Sequence, residues 1–100
     1  MAFDMKFDNY SEIISYEEEK LFSLIQGNKN YPQLNSIWES FYQDPLIYPT
    51  QAKQISKELG RLKKDVSIFG EQDLSPAIDR LIIFFIKANE DESVIKCKSD

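Results

Sequence analysis

The segment from residue 75 to 89, SPAIDRLIIFFIKAN, constrains the fold most, because it is predicted to be a helix that is apolar nearly all round. Ser75 followed by Pro76 is typical of a helix N-cap and a first-turn proline. One face of this helix holds Ile78, Leu81, Ile82, Phe85 and Ile86. Ile83 and Phe84 lie outside that face. A helix with so little polar surface is usually central, so we predict that the other elements pack around it.

A second helix is predicted to end at Gly27 and Asn28, and the sequence offers two starting points for it. A start at Ser15 forms a capping box with Glu18, three residues later. A start at Ser11 instead adds two isoleucines to the apolar face. Both alternatives remain open from the sequence, and both place the helix body at about residues 18 to 25.

The aromatic-rich stretch YPQLNSIWESFYQDPLIYP, residues 31 to 49, predicts another helix. Pro32 suits its first turn, and Asp44 before Pro45 ends it, because a residue before proline avoids the α region. The apolar face at helical spacing consists of Leu34, Ile37, Trp38 and Phe41. We interpret these four residues as core.

The next helix is predicted to begin near Thr50, as N-cap, and to carry two separate stripes. The apolar stripe consists of Ala52, Ile55, Leu59, Leu62 and Val66. The basic stripe consists of Lys53, Lys57, Arg61 and Lys64. We interpret the basic stripe as a solvated face or as one that pairs with acidic helices. Gly60 weakens this helix by roughly 1 kcal/mol relative to alanine, and indicates close packing or a bend.

The two ends of the chain carry short strand patterns. The residues FDMKF alternate strictly, with Phe3, Met5 and Phe7 on one side, and the tail SVIKCK has a weaker strand character. Two such strands need to pair or to pack on helices. We therefore predict one domain, residues 1–100, of mainly α class: a compact antiparallel bundle of about four helices with a short two-stranded ribbon made by the termini.

The residue types present exclude most catalytic chemistry. The chain has no histidine and one cysteine, and it carries no glycine-rich phosphate loop, nucleophile elbow or EF-hand spacing. Its acidic runs, EEE at 17–19 and EDE at 90–92, suit solvated helix ends, because neighbouring side chains on a helix diverge. We interpret Cys97 as a spare thiol in a terminal tail. The sequence therefore predicts no enzyme, no cofactor and no metal site.

Charge narrows the class of partner further. The formal net charge is −5 and the pI is about 4.7, which disfavours nucleic acid. Residues 49–70 are an exception, with 5 bases and 2 acids. The N-terminus shows no signal-peptide pattern, and no run of 18 apolar residues occurs, so we expect a cytoplasmic protein without a membrane span.

A protein-binding surface remains as the best candidate for a functional site. Tyr31 and Tyr48 lie at the two ends of the aromatic stretch, and Tyr42 lies at the edge of its apolar face. Tyrosine suits interfaces because its rigid ring ends in a polar group. We predict that these tyrosines anchor an interface ringed by the acids Glu39, Asp44, Glu71 and Asp73. The alternative is that the tyrosines cover the rim of the core.

The pattern IWESFYQDPLIYPTQAKQISKELGRL, residues 37 to 62, in a compact acidic chain resembles the small immunity proteins of bacterial polymorphic-toxin systems, especially those of contact-dependent growth inhibition. The resemblance covers about a quarter of the chain. It implies that the protein binds the toxic C-terminal domain of its own toxin and covers the active site or a substrate-binding surface. The acidic charge suggests a basic toxin domain, and hence a nuclease.

A second interpretation is a small regulatory or structural adaptor that forms a homodimer through the helix at 75–89 or through the aromatic edge. Ile83 and Phe84 favour it, because a second apolar face on the helix at 75–89 suits a partner subunit. The sequence thus offers two classes of function, an inhibitor of another protein and a self-associating adaptor.

Overall fold

The structure is a computed structural model that describes residues 2–99, so positions 1 and 100 of the predicted domain lie outside it. The described residues are mainly helical, with four α-helices and a four-stranded antiparallel sheet. The helices are α1 (Lys20–Ile25), α2 (Pro32–Glu39), α3 (Pro49–Ile68) and α4 (Ser75–Glu90). The strands are β1 (Phe3–Phe7), β2 (Tyr10–Ile14), β3 (Leu46–Ile47) and β4 (Ile95–Ser99). Within residues 2–99, no helix combines the length and the apolar character that a membrane crossing requires.

The two ends of the chain pair as strands, as predicted, but within a wider sheet. The strand order is β2-β1-β4-β3, and Met5 of β1 lies opposite Cys97 of β4. Strand β2 follows β1 through a tight turn in which Asp8 has a positive φ of 49°. Strand β3 has only two residues and pairs with β4. The predicted two-stranded ribbon was therefore too narrow, because β2 adds to β1 as a hairpin and the two-residue β3 adds to β4 from a distant part of the chain.

The helices cover one face of this sheet and leave the other exposed. Phe3, Met5 and Phe7 of β1 are buried, whereas Asp4 and Lys6 between them are exposed. The same alternation occurs in β4. The architecture is a helical layer on one face of an antiparallel sheet, which differs from the predicted bundle with a terminal ribbon.

The start of the first helical segment is the capping box predicted at Ser15. The Ser15 N–H donates to Glu18 Oε1 at 3.0 Å, and the Glu18 N–H donates to Ser15 Oγ at 3.3 Å. A 3-10 turn over Glu17–Glu19 then leads into α1. The alternative start at Ser11 is wrong, because that residue lies in β2.

Helix α4 packs chiefly on α3 and touches β2, so it is one side of the helical layer and is not enclosed by it. Leu81 and Phe85 are buried, and Phe84 is buried against Phe7, with ring centroids 5.0 Å apart. Ile83, however, is 69% exposed. The prediction that the other elements surround this helix is therefore wrong for the face that carries Ile83.

The N-caps of helices α3 and α4 differ from those predicted. Helix α3 begins at Pro49 with Tyr48 as N-cap, so the predicted N-cap Thr50 lies inside the helix. Helix α4 begins at Ser75 with Leu74 as N-cap, and neither cap residue makes a side-chain hydrogen bond. First-turn prolines take the place of capping side chains at both starts.

The N-terminus of α2 is held by a carboxylate from α3. Glu58 is 8% exposed, and its two oxygens accept the N–H groups of Gln33 at 3.0 Å and of Leu34 at 2.9 Å. Burial raises the pKa of Glu58, although both hydrogen bonds act to lower it. A negative charge at the positive end of α2 therefore offsets its own desolvation cost in part.

Gly60 allows a test of whether α3 uses glycine for packing. A Cβ at Gly60 would meet nothing within 4 Å, and its φ is not in the positive range. We expect Gly60→Ala to raise the free energy of unfolding by about 1 kcal/mol, because alanine favours the helix. Chemical denaturation measures this change.

Gly27 is the matched control for that substitution. A Cβ at Gly27 would also meet nothing within 4 Å, but its φ is +74°. We expect Gly27→Ala to lower the free energy of unfolding by about 1 kcal/mol, because alanine is strained there. Destabilisation by Gly60→Ala would contradict this account of α3.

The capping box makes a pH-dependent prediction. Burial acts to raise the pKa of Glu18, but hydrogen bonds and the charge of Arg80 outweigh it, so the pKa is lowered. A lowered folded-state pKa means that the ionised carboxylate contributes stability above pH 4.5, and that this contribution is lost as the pH falls through the folded-state pKa. We expect Glu18→Gln to cost about 1 kcal/mol at pH 7 and less at pH 3. Glu17→Gln, next in sequence and exposed, should cost under about 0.5 kcal/mol at either pH, and an equal loss in both variants would contradict the role given to Glu18.

Candidate partner-binding surface

Every second residue from 42 to 48 is exposed, and these four residues form a ridge that includes the first residue of β3. They are Tyr42, Asp44, Leu46 and Tyr48, which we call the 42–48 ridge. Tyr42 is 65% exposed, Tyr48 54% and Leu46 48%. Ile47, between two of them, is fully buried. The segment therefore presents large side chains to solvent while its intervening residue fixes it to the core.

The backbone beneath the ridge is held on several sides. The Cys97 N–H donates to the Pro45 carbonyl at 3.2 Å, and Ile47 pairs with Ile95 of β4. Asp44 has a positive φ of 48°, which turns the chain from the 3-10 turn at 41–43 into β3. The ring of Tyr42 meets the buried ring of Phe41 edge-on at 5.3 Å. Such anchoring lowers the entropy that the ridge loses when it binds.

The ridge contains three of the predicted binding residues and one that the sequence analysis missed. Tyr42, Asp44 and Tyr48 were predicted, whereas Leu46 was not. Leu46 faces the exposed side of the sheet opposite Lys96. The available signal was the alternation around Ile47, but a strand of two residues is too short for that pattern to be read.

Glu39, the fourth predicted residue near this region, is exposed at the last position of α2. It lines a shallow depression together with Trp38 and Gly27. Trp38 is partly buried, and its ring stacks on Phe22 at 5.0 Å. Glu39 thus adds a negative charge three residues before the ridge begins.

Glu71 and Asp73 lie near the start of α1, away from the ridge, and form salt bridges with a lysine. Lys20 Nζ lies 3.2 Å from Glu71 and 2.9 Å from Asp73. A hydrogen bond to Asp73 is the main cause that raises the pKa of Lys20, and the same bond lowers the pKa of Asp73. The structure therefore joins these acids to the start of α1.

Two exposed apolar residues precede this acidic corner, and the sequence analysis missed both. Ile68 is 79% exposed and Phe69 is 58% exposed. They end α3 just before Gly70, which has a positive φ of 76°. Their sequence signal was their position outside the apolar stripe of the helix.

The prediction that Tyr31 is a surface anchor is wrong. Tyr31 is 1% exposed, and its hydroxyl donates a hydrogen bond to Asp65 of α3. Burial raises the pKa of Tyr31, and the hydrogen bond with Asp65 raises it further. The partner of its hydroxyl lies 34 residues away in the sequence, so the residues around Pro32 do not indicate that the ring is buried.

The interpretation of Cys97 as a tail thiol is also wrong. Cys97 is 5% exposed in β4. Burial, with a smaller contribution from the charge of Asp44, raises the pKa of Cys97 to about 12. The thiolate, which is the nucleophilic form, is thus scarcely present at neutral pH.

No protein-family model, curated protein or solved structure matches this chain.

Tyr31 provides a test of the corrected core. We expect Tyr31→Phe to lower the free energy of unfolding by about 1 kcal/mol, because Asp65 loses a hydrogen-bond donor in a partly buried site. Tyr16→Phe is the control, since Tyr16 is 65% exposed. Denaturation at pH 7 should separate the two variants, and equal stability would contradict a structural role for the Tyr31 hydroxyl.

Proposed function

We propose that this chain is an immunity protein that binds a cognate toxin domain and neutralises it by forming a tight non-covalent complex. The observation that carries the proposal is the 42–48 ridge, with two tyrosines and a leucine exposed on a firmly held backbone. Part of the stretch that resembles immunity proteins, residues 37 to 62, forms this ridge.

The composition of the ridge suits an inhibitory interface. Tyrosine is enriched among residues that contribute most to binding, and two rotatable bonds limit the entropy lost on contact. Asp44 within the ridge and Glu39 before it add negative charge. A basic toxin domain would therefore meet complementary charge, which speeds association and favours the correct partner.

To neutralise a toxin domain, this chain would need to cover a surface of it and would not need a catalytic group. The sequence has no histidine, and its single thiol is buried with a raised pKa. We accordingly propose an inhibitor that is not an enzyme and uses no cofactor, and that acts in the cytoplasm by covering the active site or substrate-binding surface of a nuclease.

An adaptor that forms a homodimer through α4 is the second candidate. Of the two residues predicted for this face, Ile83 is 69% exposed, but Phe84 is buried. Ile86, 43% exposed, is the neighbour of Ile83 on the helix face. An apolar pair of this kind favours burial against a second copy. Two exposed isoleucines support the adaptor less strongly than the two tyrosines and the leucine of the ridge support the inhibitor.

The test begins with the tagged chain as bait in its source cells and mass identification of what it retains. The C-terminal domain of a retained protein is then expressed alone and with the bait. We expect growth arrest by that domain alone and restored growth with the wild-type chain. Failure of the wild-type chain to protect, with recovery of the bait as a dimer, would favour the adaptor.

Variants of the ridge then locate the interface. We expect Tyr42→Ser combined with Tyr48→Ser to weaken binding about 30-fold or more, because each removes an aromatic anchor. Tyr16→Ser is the matched control, since Tyr16 and Tyr42 are both 65% exposed. Isothermal titration with the purified toxin domain measures both. Equal affinity of the double variant and the control would contradict the ridge as the binding site.

A further inference from the structure

The outward face of α3 is basic and has no partner within the described chain. Lys53, Lys57, Arg61 and Lys64 are all exposed. None of the four forms a salt bridge with another described residue, whereas Lys63, on another side of the helix, pairs with Asp79 at 2.7 Å. At 3.6 residues per turn the four cations fall within an arc of about 80° and span about 16 Å along the helix. We call this set the α3 basic face.

Both acids of α3 point away from that face, which leaves its charge uncompensated. Glu58 is buried and accepts two N–H groups at the start of α2. Asp65 accepts the hydroxyl of Tyr31. Arg61 is the cation nearest to these groups, and its charge opposes in small part the rise that burial causes in the pKa of Glu58 and of Tyr31.

Gly60 provides a second, independent observation on the same face. Along the helix axis it lies between Lys57 and Lys64, about 20° outside the edge of the arc that Lys53 marks, and a Cβ there would meet nothing within 4 Å. Glycine inside a helix costs about 1 kcal/mol relative to alanine, and packing within this chain gives no reason for that cost. A glycine does permit the backbone of another molecule to approach closely.

We propose that the α3 basic face docks an acidic segment of a protein partner, whose carboxylates contact the lysines and whose backbone passes close to Gly60. Ile68, 79% exposed, falls within the same arc at the end of the helix. It offers the segment one apolar contact beyond the charges. The proposal concerns residues other than the 42–48 ridge and does not rest on the proposed immunity function.

A protein segment suits this face better than a nucleic acid. A nucleic-acid backbone is a long polyanion, and it would extend past the four cations into the field of a chain whose net charge is −5. The face also lacks the aromatic side chains on which bases stack. A short acidic segment keeps its charges over the helix and places an apolar residue at Ile68.

The experiment titrates the full chain into a labelled probe and measures fluorescence anisotropy. The probe is a 15-residue helical peptide with glutamates at spacings of three and four and a single leucine at one end. A 15-nucleotide DNA strand with the same label is the comparison. We expect the peptide to bind saturably at low salt and to bind more weakly at high salt, as for an interaction between charges.

Two triple variants separate the α3 basic face from overall charge. One is Lys53→Gln, Lys57→Gln and Lys64→Gln, and the other is Lys6→Gln, Lys96→Gln and Lys98→Gln on the exposed side of the sheet. Both remove three positive charges from a chain of net charge −5. We expect the α3 variant to weaken peptide binding about tenfold and the sheet variant less than about twofold.

Gly60→Gln tests the close approach without changing charge. We expect this variant to raise the melting temperature by several degrees, as a better helix former, while it weakens peptide binding about fivefold by occupying the face. No saturable peptide binding, equal losses in the two triple variants, or tighter binding of DNA than of the peptide would each overturn the proposal. Self-association of the chain that is lost in the α3 variant would also overturn it, by assigning the face to a second copy.

Discussion

The two acids of α3 hold the segment on which the candidate interface depends. Glu58 accepts the first N–H groups of α2, and Asp65 accepts the hydroxyl of Tyr31 just before that helix. Helix α2 leads directly into the 3-10 turn at 41–43 and then into the 42–48 ridge. A carboxylate at a helix N-terminus satisfies otherwise unpaired donors and opposes the helix dipole. The position of the ridge therefore follows from contacts made two turns apart on a different helix.

A second set of charges fastens the sheet to the helices. Arg80 of α4 contacts Glu12 of β2 and Glu18 of the capping box, each at 2.8 Å, and donates to the Ile13 carbonyl at 3.0 Å. The Ile13 N–H in turn donates to the Glu12 carboxylate at 2.9 Å. Because β2 is at the edge of the sheet, these bonds occupy backbone groups that another strand would otherwise pair with. One arginine thus joins α4, an edge strand and the start of the first helical segment.

The sequence predicted those features that local physics determines. The four helical regions follow from apolar residues at a spacing of three and four, and the capping box from Ser15 and Glu18 three residues apart. Strand β2 was missed because its residues were read as a possible helix start at Ser11, although it pairs with the neighbouring β1 across a tight turn. Strand β3 was missed because it has two residues and its partner β4 lies far along the chain. The same limit explains the error at Tyr31. Its neighbours Asn30 and Pro32 gave no sign of Asp65, which accepts the hydrogen bond from the hydroxyl of the buried ring.

The part of the candidate site that could be predicted is the exposure of its tyrosines, because this exposure follows from their neighbours in the sequence. Tyr42 and Tyr48 are exposed because each is a large residue next to a buried one, Phe41 and Ile47. Glu71 and Asp73 were grouped with them by charge alone, and Lys20 draws them to another corner. Net charge was equally incomplete as a guide to partners. The spacing of the four cations on α3 predicted a basic stripe within an acidic chain. The packing of α2 against α3 adds that Glu58 and Asp65, the two acids of this helix, are engaged elsewhere and do not pair with that stripe.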